Sequence, residues 1–136
     1  MKPLISIIIP VYNVSGYLVR ALTSIVNQTL QNIEILCVDD CSTDNSLKIL
    51  EDFSKKDTRI KIFKHDKNLG VSCTRNTALK HAKADYLMFL DPDDYVASKF
   101  CEKMYEAITK NDLDLVVCGV NVEIASDMTY NRGYSN

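Results

Sequence analysis

Short apolar runs alternate with amphipathic segments along most of this chain. The first run, residues 5–11, is rich in β-branched side chains, which is typical of a strand that is covered on both faces. The next segment places Leu18, Leu22 and Ile25 at the spacing of one helical face. Comparable apolar runs follow at residues 33–38, 60–63, 86–90 and 115–120, with helical segments near residues 46–53, 71–82 and 98–110 between them.

This alternation predicts the element order β-α-β-α-β-α-β-α-β. Strands separated by helices form an open, mostly parallel sheet with helices on both faces, so we expect a three-layer α/β/α fold. The 136 residues, 46% of them hydrophobic, suit one domain with a single core. We place this domain at residues 1–124. Residues 125–136 are interpreted as a tail or as the start of a missing region, because their periodicity fades.

Charge balance and cysteine usage narrow the classes of function. A net charge of −2 leaves no basic excess to neutralise a phosphate backbone, which argues against nucleic-acid binding. The longest apolar run is far shorter than the ~20 residues that span a bilayer, so we expect no transmembrane segment in this chain. The five cysteines are scattered, odd in number and without a CxxC pair, which favours a reducing cytoplasm over a disulfide framework or a zinc site.

Acidic residues cluster where two of the predicted strands end. In sheets of this type, ligands bind beyond the carboxyl ends of the strands. The second strand ends in Asp39 and Asp40, and the fourth is followed by Asp91, Asp93 and Asp94. Clustered carboxylates repel one another unless a cation joins them, and a hard divalent ion is typically held by one or two carboxylates plus substrate phosphates. The alternative interpretation is that these aspartates form turns and cap helices.

Glycine-rich phosphate loops are absent from the sequence. Neither GxGxxG nor GxxxxGK[ST] occurs, so a metal would have to carry much of the phosphate charge of any bound nucleotide. Arg75 lies near the start of the third predicted helix, whose positive end favours anions. Its planar guanidinium suits phosphate or carboxylate, and the alternative is a solvated surface arginine or a partner for a structural aspartate.

Four motifs at the predicted strand–helix junctions together resemble one family. They are SIIIPVYN (residues 6–13), VDDCSTDNS (38–46), NLGVSCTRN (68–76) and FLDPDDY (89–95). In this order they look like the N-terminal, nucleotide-sugar-binding part of a family 2 glycosyltransferase with the GT-A fold, a Rossmann-like architecture. The family commonly has glycine at the position of Cys41, so we expect a strained turn there.

The resemblance implies roles for individual residues around a nucleotide. Pro10, Tyr12 and Asn13 would line the nucleotide pocket, with Tyr12 near the base. Asp39 would accept a hydrogen bond from an imide N–H such as that of uracil. Arg75 would approach the nucleotide or its diphosphate.

Further aspartates complete the implied site. Asp91 and Asp93 would form a DxD element, with Asp91 nearer the ribose or the sugar. Asp93 would bind Mn²⁺ or Mg²⁺ bridging the diphosphate, and Asp94 would assist. Asp40 and Asp44 match the motif as well, but helix capping explains them nearly as well.

The implied reaction is metal-dependent transfer of a sugar, with inversion, from a nucleotide diphosphosugar to a hydroxyl. We expect a UDP-sugar donor and a glycan or other hydroxyl acceptor, as in polysaccharide or cell-envelope glycan synthesis. The expected location is the cytoplasm, at the inner face of the membrane, by peripheral association of the full-length protein. In similar enzymes the general base lies well past the DxD motif. We therefore nominate no base and expect this chain to be a truncated donor-binding part that is inactive alone.

Two other classes of function stay open. A non-catalytic nucleotide-binding or scaffold module could keep the same fold, although both DxD aspartates are intact. A receiver-like regulatory domain also gathers acidic residues at strand ends, but it needs a phosphoacceptor aspartate after the third strand and a lysine after the fifth. The third strand here ends in KHD (residues 64–66) and the fifth leads into GVN (119–121), so the placement fails.

Overall fold

The computed structural model describes residues 1–124 and 128–132, which contain four helices and six strands. The elements are, in chain order, β1 (Ile5–Val11), α1 (Ser15–Val26), β2 (Ile33–Asp39), α2 (Ser46–Ser54), β3 (Ile60–Lys64), α3 (Val71–His81), β4 (Tyr86–Phe89), α4 (Phe100–Lys110), β5 (Val120–Ile124) and β6 (Met128–Arg132). The first eight elements follow the predicted alternation of strands and helices.

The first four strands form one parallel sheet in the order β3-β2-β1-β4. Strand β1 is therefore central, with Ile7 opposite Ile35 of β2 and Met88 of β4. Each strand is joined to the next along the chain by a helix, as parallel pairing requires. This arrangement confirms the predicted α/β fold with a parallel open sheet.

The core lies on both faces of β1 and β2. Ile8, Leu36 and Val38 are fully buried and pack with Ala78 of α3 on one face. Neighbouring residues along a strand point to opposite faces. Ile7 and its register partner Ile35 therefore occupy the other face, where they are also fully buried. Continuous apolar runs such as β1 are explained by this double burial.

Helix α1 follows the apolar stripe that the sequence predicted. Leu18, Ala21, Leu22 and Ile25 are fully buried, whereas Val19 and Arg20 between them are exposed. Helices α1 and α2 contact each other, and α2 also packs against β2 and β3. Helix α3 packs against β1 and β2.

The predicted fifth strand of the parallel sheet is wrong. Residues 115–119 are not in a strand, and β5 begins at Val120 and pairs antiparallel with β6 in a separate two-stranded sheet. Residues 128–132, predicted as part of an unpatterned end, form the second strand of this hairpin. The apolar, β-branched residues of this run favour a strand by propensity alone, which does not supply a partner, and the strand that forms lies further along the chain, at Val120–Ile124.

The described chain divides into two compact units, Met1–Cys101 and Glu102–Asn136. The predicted boundary at residue 124 falls within the second unit, next to residues 125–127, which lie outside the described residues together with 133–136. The assignment of 1–124 and 125–136 as separate regions stays a prediction. In the described part of the chain, none of the helices has the length and apolar character needed to span a membrane.

A buried carboxylate fixes the connection between α3 and β4. Glu34 of β2 accepts hydrogen bonds from the Ser6 hydroxyl (2.7 Å), the Lys83 backbone N–H (2.6 Å) and the Lys61 ammonium (2.8 Å). Burial opposes ionisation of Glu34, but the hydrogen bonds from Lys61, Ser6 and Lys83 outweigh it and hold the pKa below its ordinary value. Ser6 in turn accepts a hydrogen bond from the Ala84 N–H (3.1 Å).

Replacement of Glu34 by glutamine tests this network. The amide places a donor against the Lys61 ammonium, so we expect Glu34→Gln to lower the free energy of unfolding by about 1–2 kcal/mol, measured by urea denaturation at neutral pH. Because the folded-state pKa of Glu34 is lowered, its contribution is present above its unfolded pKa and is lost as the pH falls through the folded value.

The exposed pair Glu51–Lys64 supplies the matched control for Glu34→Gln. Its nitrogen–oxygen distance, 2.9 Å, is nearly the same, but both side chains are solvent-exposed. Glu51→Gln should leave the unfolding midpoint nearly unchanged, because exposed ion pairs contribute little. Equal effects of the two substitutions would contradict a special role for the buried carboxylate.

Candidate functional site

An open cavity of about 540 Å³ lies at the carboxyl ends of the parallel strands. The end of β1 contributes Pro10 and Tyr12, α3 contributes Arg75, and the turn after β4 contributes Asp91 and Asp93. These five residues are separated by up to 83 positions in sequence, from Pro10 to Asp93, yet they line one cavity because parallel strands end at the same edge. All five were candidate site residues from the sequence.

Asp39, the last residue of β2, is not a lining residue but lies directly behind the cavity wall. Its chain neighbour Asp40 and its register partner Val11 both line the cavity. The residue is only 3% exposed. Its Oδ2 accepts a hydrogen bond from the Ser42 N–H at 3.2 Å, while its buried Oδ1 has no hydrogen-bond partner. A buried oxygen acceptor without a donor carries a free-energy cost in the free protein.

Arg75 places a second unsatisfied group at the cavity. Its Nη2 donates to Asp91 Oδ1 at 2.8 Å, and its guanidinium lies over the Phe89 ring at 5.8 Å from the centroid. Its buried Nε donor has no partner. Among the described residues, Asp39 Oδ1 and Arg75 Nε are the buried side-chain oxygen and nitrogen atoms without a hydrogen-bond partner. Arg75 lines the cavity, and Asp39 lies behind its wall.

The turn after β4 concentrates negative charge. Partial burial raises the pKa of Asp94, the carboxylates of Asp93 and Asp91 raise it further, and Arg20 of α1 opposes the shift. Asp94 is not a lining residue of the cavity, although its N–H donates to Asp91 O at 3.0 Å. Mutual repulsion of this kind is relieved by a cation.

A complete metal cage is not formed by protein groups alone. Within the described residues, no group of three or more His, Cys, Asp or Glu side chains is arranged to hold a metal ion. A Mg²⁺-type site needs only one or two carboxylates because substrate phosphates and water supply the other ligands. Asp91 and Asp93, both lining the cavity, fit this second type of site.

Asn13, a predicted pocket residue, holds two loops together instead of lining the cavity. Its Oδ1 accepts hydrogen bonds from the Thr43 N–H (2.8 Å) and the Asp44 N–H (3.3 Å), and its own N–H donates to Ser42 Oγ (3.1 Å). Its φ of 49° lies in the left-handed region, which asparagine tolerates better than most residues. Asn13 thus joins the loop after β1 to the loop after β2.

Asp44 caps a helix, as the alternative interpretation of this residue allowed. Its Oδ2 accepts from the Ser15 N–H at 3.0 Å at the start of α1, and its Oδ1 accepts from the Ser46 N–H at 2.9 Å at the start of α2. Burial opposes its ionisation, but hydrogen bonds from Ser46 and Ser15 hold the pKa of Asp44 well below its usual range. One carboxylate therefore serves two helix N-termini.

The loop before α3 also forms part of the cavity wall, although Arg75 was the one residue of its motif predicted to lie there. Asn68, Gly70 and Thr74 line the cavity beside Arg75. Gly70 has a φ of 86°, a conformation that favours glycine. The turn-forming residues of this loop were the sequence signal that could have indicated its place in the cavity wall. Cys41 has a φ of 62°, which confirms the strained turn expected there.

Comparison with known proteins gives the class to which this fold and cavity belong. The family model described as Glycosyl transferase family 2 matches residues 6–136. The uncharacterized glycosyltransferase EpsJ of Bacillus subtilis is 42% identical over 130 residues, which are 96% of this chain and 38% of EpsJ. The poly(ribitol-phosphate) beta-glucosyltransferase of Bacillus spizizenii is 40% identical over 116 residues, covering 83% of this chain and 18% of that protein.

A solved structure agrees with these sequence matches. Residues 1–349 of S. aureus TarS, crystallised in complex with UDP, superpose with a TM-score of 0.75 and 33% identity, covering 82% of this chain and 33% of that chain. A complex of the same protein with UDP-GlcNAc is equally similar in TM-score and identity. The fold is that of GT-A glycosyltransferases, and the chain belongs to glycosyltransferase family 2. The matched part of the chain covers 38%, 44% and 39% of the length of three curated relatives, which is less than half in each case.

Substitution of Asn13 tests the loop clamp. Asn13→Ala removes the acceptor for Thr43 and Asp44 and strains the backbone at positive φ, so we expect a loss of about 1–2 kcal/mol in the free energy of unfolding. Asn13→Gly keeps the backbone conformation and loses only the side-chain hydrogen bonds, so its loss should be smaller. Urea denaturation measures both, and a neutral Asn13→Ala would contradict the clamp.

Proposed function

We propose that this chain binds the nucleotide part of a UDP-sugar in the cavity and presents the sugar for transfer to a hydroxyl acceptor. The observation that carries the proposal is the buried Oδ1 of Asp39, an acceptor without a donor behind the cavity wall. The imide N–H of uracil is a donor of the required kind. The structural neighbour TarS was crystallised with UDP and with UDP-GlcNAc, which supports this choice of ligand.

The diphosphate would lie between Arg75 and the acidic turn. The Arg75 guanidinium would balance negative charge on the phosphates, and its Nε supplies a donor that lacks a partner in the free protein. Asp93, with Asp91 and Asp94, would hold Mn²⁺ or Mg²⁺, in keeping with the mutual repulsion of these carboxylates. When bound, the ion stabilises charge on the departing diphosphate.

The remaining chemistry is inverting displacement at the anomeric carbon. The oxygen of the acceptor hydroxyl forms the new glycosidic bond while the bond to the diphosphate breaks, and the hydroxyl proton passes to a general base. No residue of this chain is assigned as that base. The name of one relative, the minor teichoic acid biosynthesis protein GgaB of Bacillus subtilis, supports a place in cell-envelope glycan synthesis. The location that we propose with it is the cytoplasm, at the inner face of the membrane.

Asp39→Asn tests base recognition. A hydrogen bond to a charged acceptor contributes about 1.5–3 kcal/mol, so we expect the variant to bind UDP about 10- to 100-fold more weakly by isothermal titration calorimetry. N3-methyl-UDP lacks the imide donor, so the substitution should change its affinity far less. The exposed Asp52→Asn of α2 serves as the control. Equal losses for both nucleotides would contradict a contact between Asp39 and the imide.

Asp93→Asn tests the metal site. UDP is titrated into wild type and variant with Mn²⁺, with Mg²⁺, and with a chelator in place of the metal. We expect wild type to bind more tightly with metal, and Asp93→Asn to weaken binding only in the metal-containing arms, because the variant removes a carboxylate ligand but little of the nucleotide pocket. Metal-independent binding by the wild type would contradict the metal role.

A further inference from the structure

A partly buried chain of hydrogen bonds connects the end of β2 to Gly70, which precedes α3, and to Thr77 within α3. Asp40 Oδ1 accepts hydrogen bonds from the Leu69 N–H (2.9 Å) and from His65 Nδ1 (2.7 Å). Asp40 Oδ2 accepts from the Gly70 N–H at 2.8 Å. The side chains of Asp40 and His65 are only 4% and 9% exposed. The second ring nitrogen of His65, Nε2, lies 2.8 Å from Thr77 Oγ1.

The hydrogen-bonding capacities of these groups assign the His65 tautomer. Burial opposes ionisation of Asp40, but the hydrogen bonds from Leu69, His65 and Gly70 keep its pKa below the ordinary value. An ionised carboxylate only accepts, so His65 Nδ1 must carry a proton. In the neutral ring, Nε2 then accepts from the Thr77 hydroxyl. With the neutral ring, the donor and the acceptor of each hydrogen bond among these residues are thereby assigned.

The attachment points lie on either side of the cavity-lining residues of α3. Asp40 holds Gly70, the residue that precedes the helix, and His65 holds Thr77 in its second turn. Thr74 and Arg75, which line the cavity, lie between these two points. Thr74 is itself bonded to the first attachment point, because its hydroxyl donates to Gly70 O at 2.8 Å. A displacement of α3 along its axis would break both attachments.

We propose that Asp40, His65 and Thr77 form a positioning relay that sets the pose of the 68–70 loop and of Arg75 at the cavity. His65 and Thr77 act through Asp40 and α3 and touch no ligand themselves. The proposal rests on the proposed function for the identity of the ligand, UDP, but the relay is a property of the free protein. The competing explanation is that these residues only stabilise the fold.

His65 NMR tests the relay without any nucleotide. Nitrogen-15 shifts of the neutral ring at alkaline pH distinguish the two tautomers, and the relay requires the proton on Nδ1. The amide protons of Leu69 and Gly70 should be protected from hydrogen exchange, and Thr77→Val should reduce their protection more than that of amides in β1. An Nε2-protonated ring, or equal loss of protection everywhere, would overturn the proposal.

The UDP affinities of variants distinguish a positioning role from a role in stability alone. Thr77→Val is nearly isosteric but leaves His65 Nε2 without its partner, so we expect UDP binding to weaken about 2- to 10-fold under conditions where the variant is fully folded. Thr77→Ser keeps the hydroxyl and should restore most of the affinity. The matched control is His81→Gln at the end of the same helix, which removes a ring stacked on Phe63 at 4.0 Å.

The control variant decides between the two explanations. His81→Gln is expected to lower the unfolding midpoint without changing UDP affinity. If it weakens UDP binding as much as Thr77→Val does, or if Thr77→Val binds UDP like the wild type, the positioning role is wrong. If the wild type itself binds no UDP, the proposed function fails, and the tautomer and exchange measurements still decide for or against the relay.

Discussion

The parallel pairing of β1 with β2 is the interaction on which the rest of the structure depends. It runs from Ile5 opposite Ile33 to Val11 opposite Asp39, with every residue of both strands buried. Because the two strands run in the same direction and in this register, the loops that follow them leave the sheet side by side. The clamp formed by Asn13, the shared cap of Asp44 and the cavity wall all require that proximity.

Burial of apolar surface explains the sheet, whereas polar side chains explain how its loops are arranged. The loops after β1 and β2 contain few buried apolar residues, and hydrogen bonds from backbone N–H groups to the side-chain oxygens of Asn13, Asp44 and Ser46 hold them to each other. The loop before α3 is held to Asp40 in the same way. The apolar core therefore determines where the cavity lies, and a shell of side-chain acceptors determines the shape of its wall.

The sequence predicted the elements that local patterns define and missed what depends on distant partners. The apolar run of β1 and the stripe of α1 are local, and both were correct. Residues 115–120 were misassigned as a fifth parallel strand, because an apolar pattern favours a strand without supplying its partner. The strand that forms, β5, begins only at Val120 and pairs with the residues that follow. From the positions of their motifs, Pro10, Arg75 and Asp93 were predicted to share one site, and all three line the same cavity. The His65 contact with Asp40 spans 25 positions of the chain and follows no short-range spacing, so the pattern gave no sign of it.

The unsatisfied oxygen of Asp39 has a consequence for how such a chain can change over evolutionary time. A buried acceptor without a donor destabilises the free protein, and selection for stability alone favours its replacement. Aspartate persists at such a position only while something that donates to it contributes to fitness. Under the proposed function, a descendant that stops binding nucleotide is free to exchange Asp39 for an apolar residue and become more stable. Under the proposed function, the identity of the residue at position 39 thus indicates whether a chain of this kind still binds nucleotide.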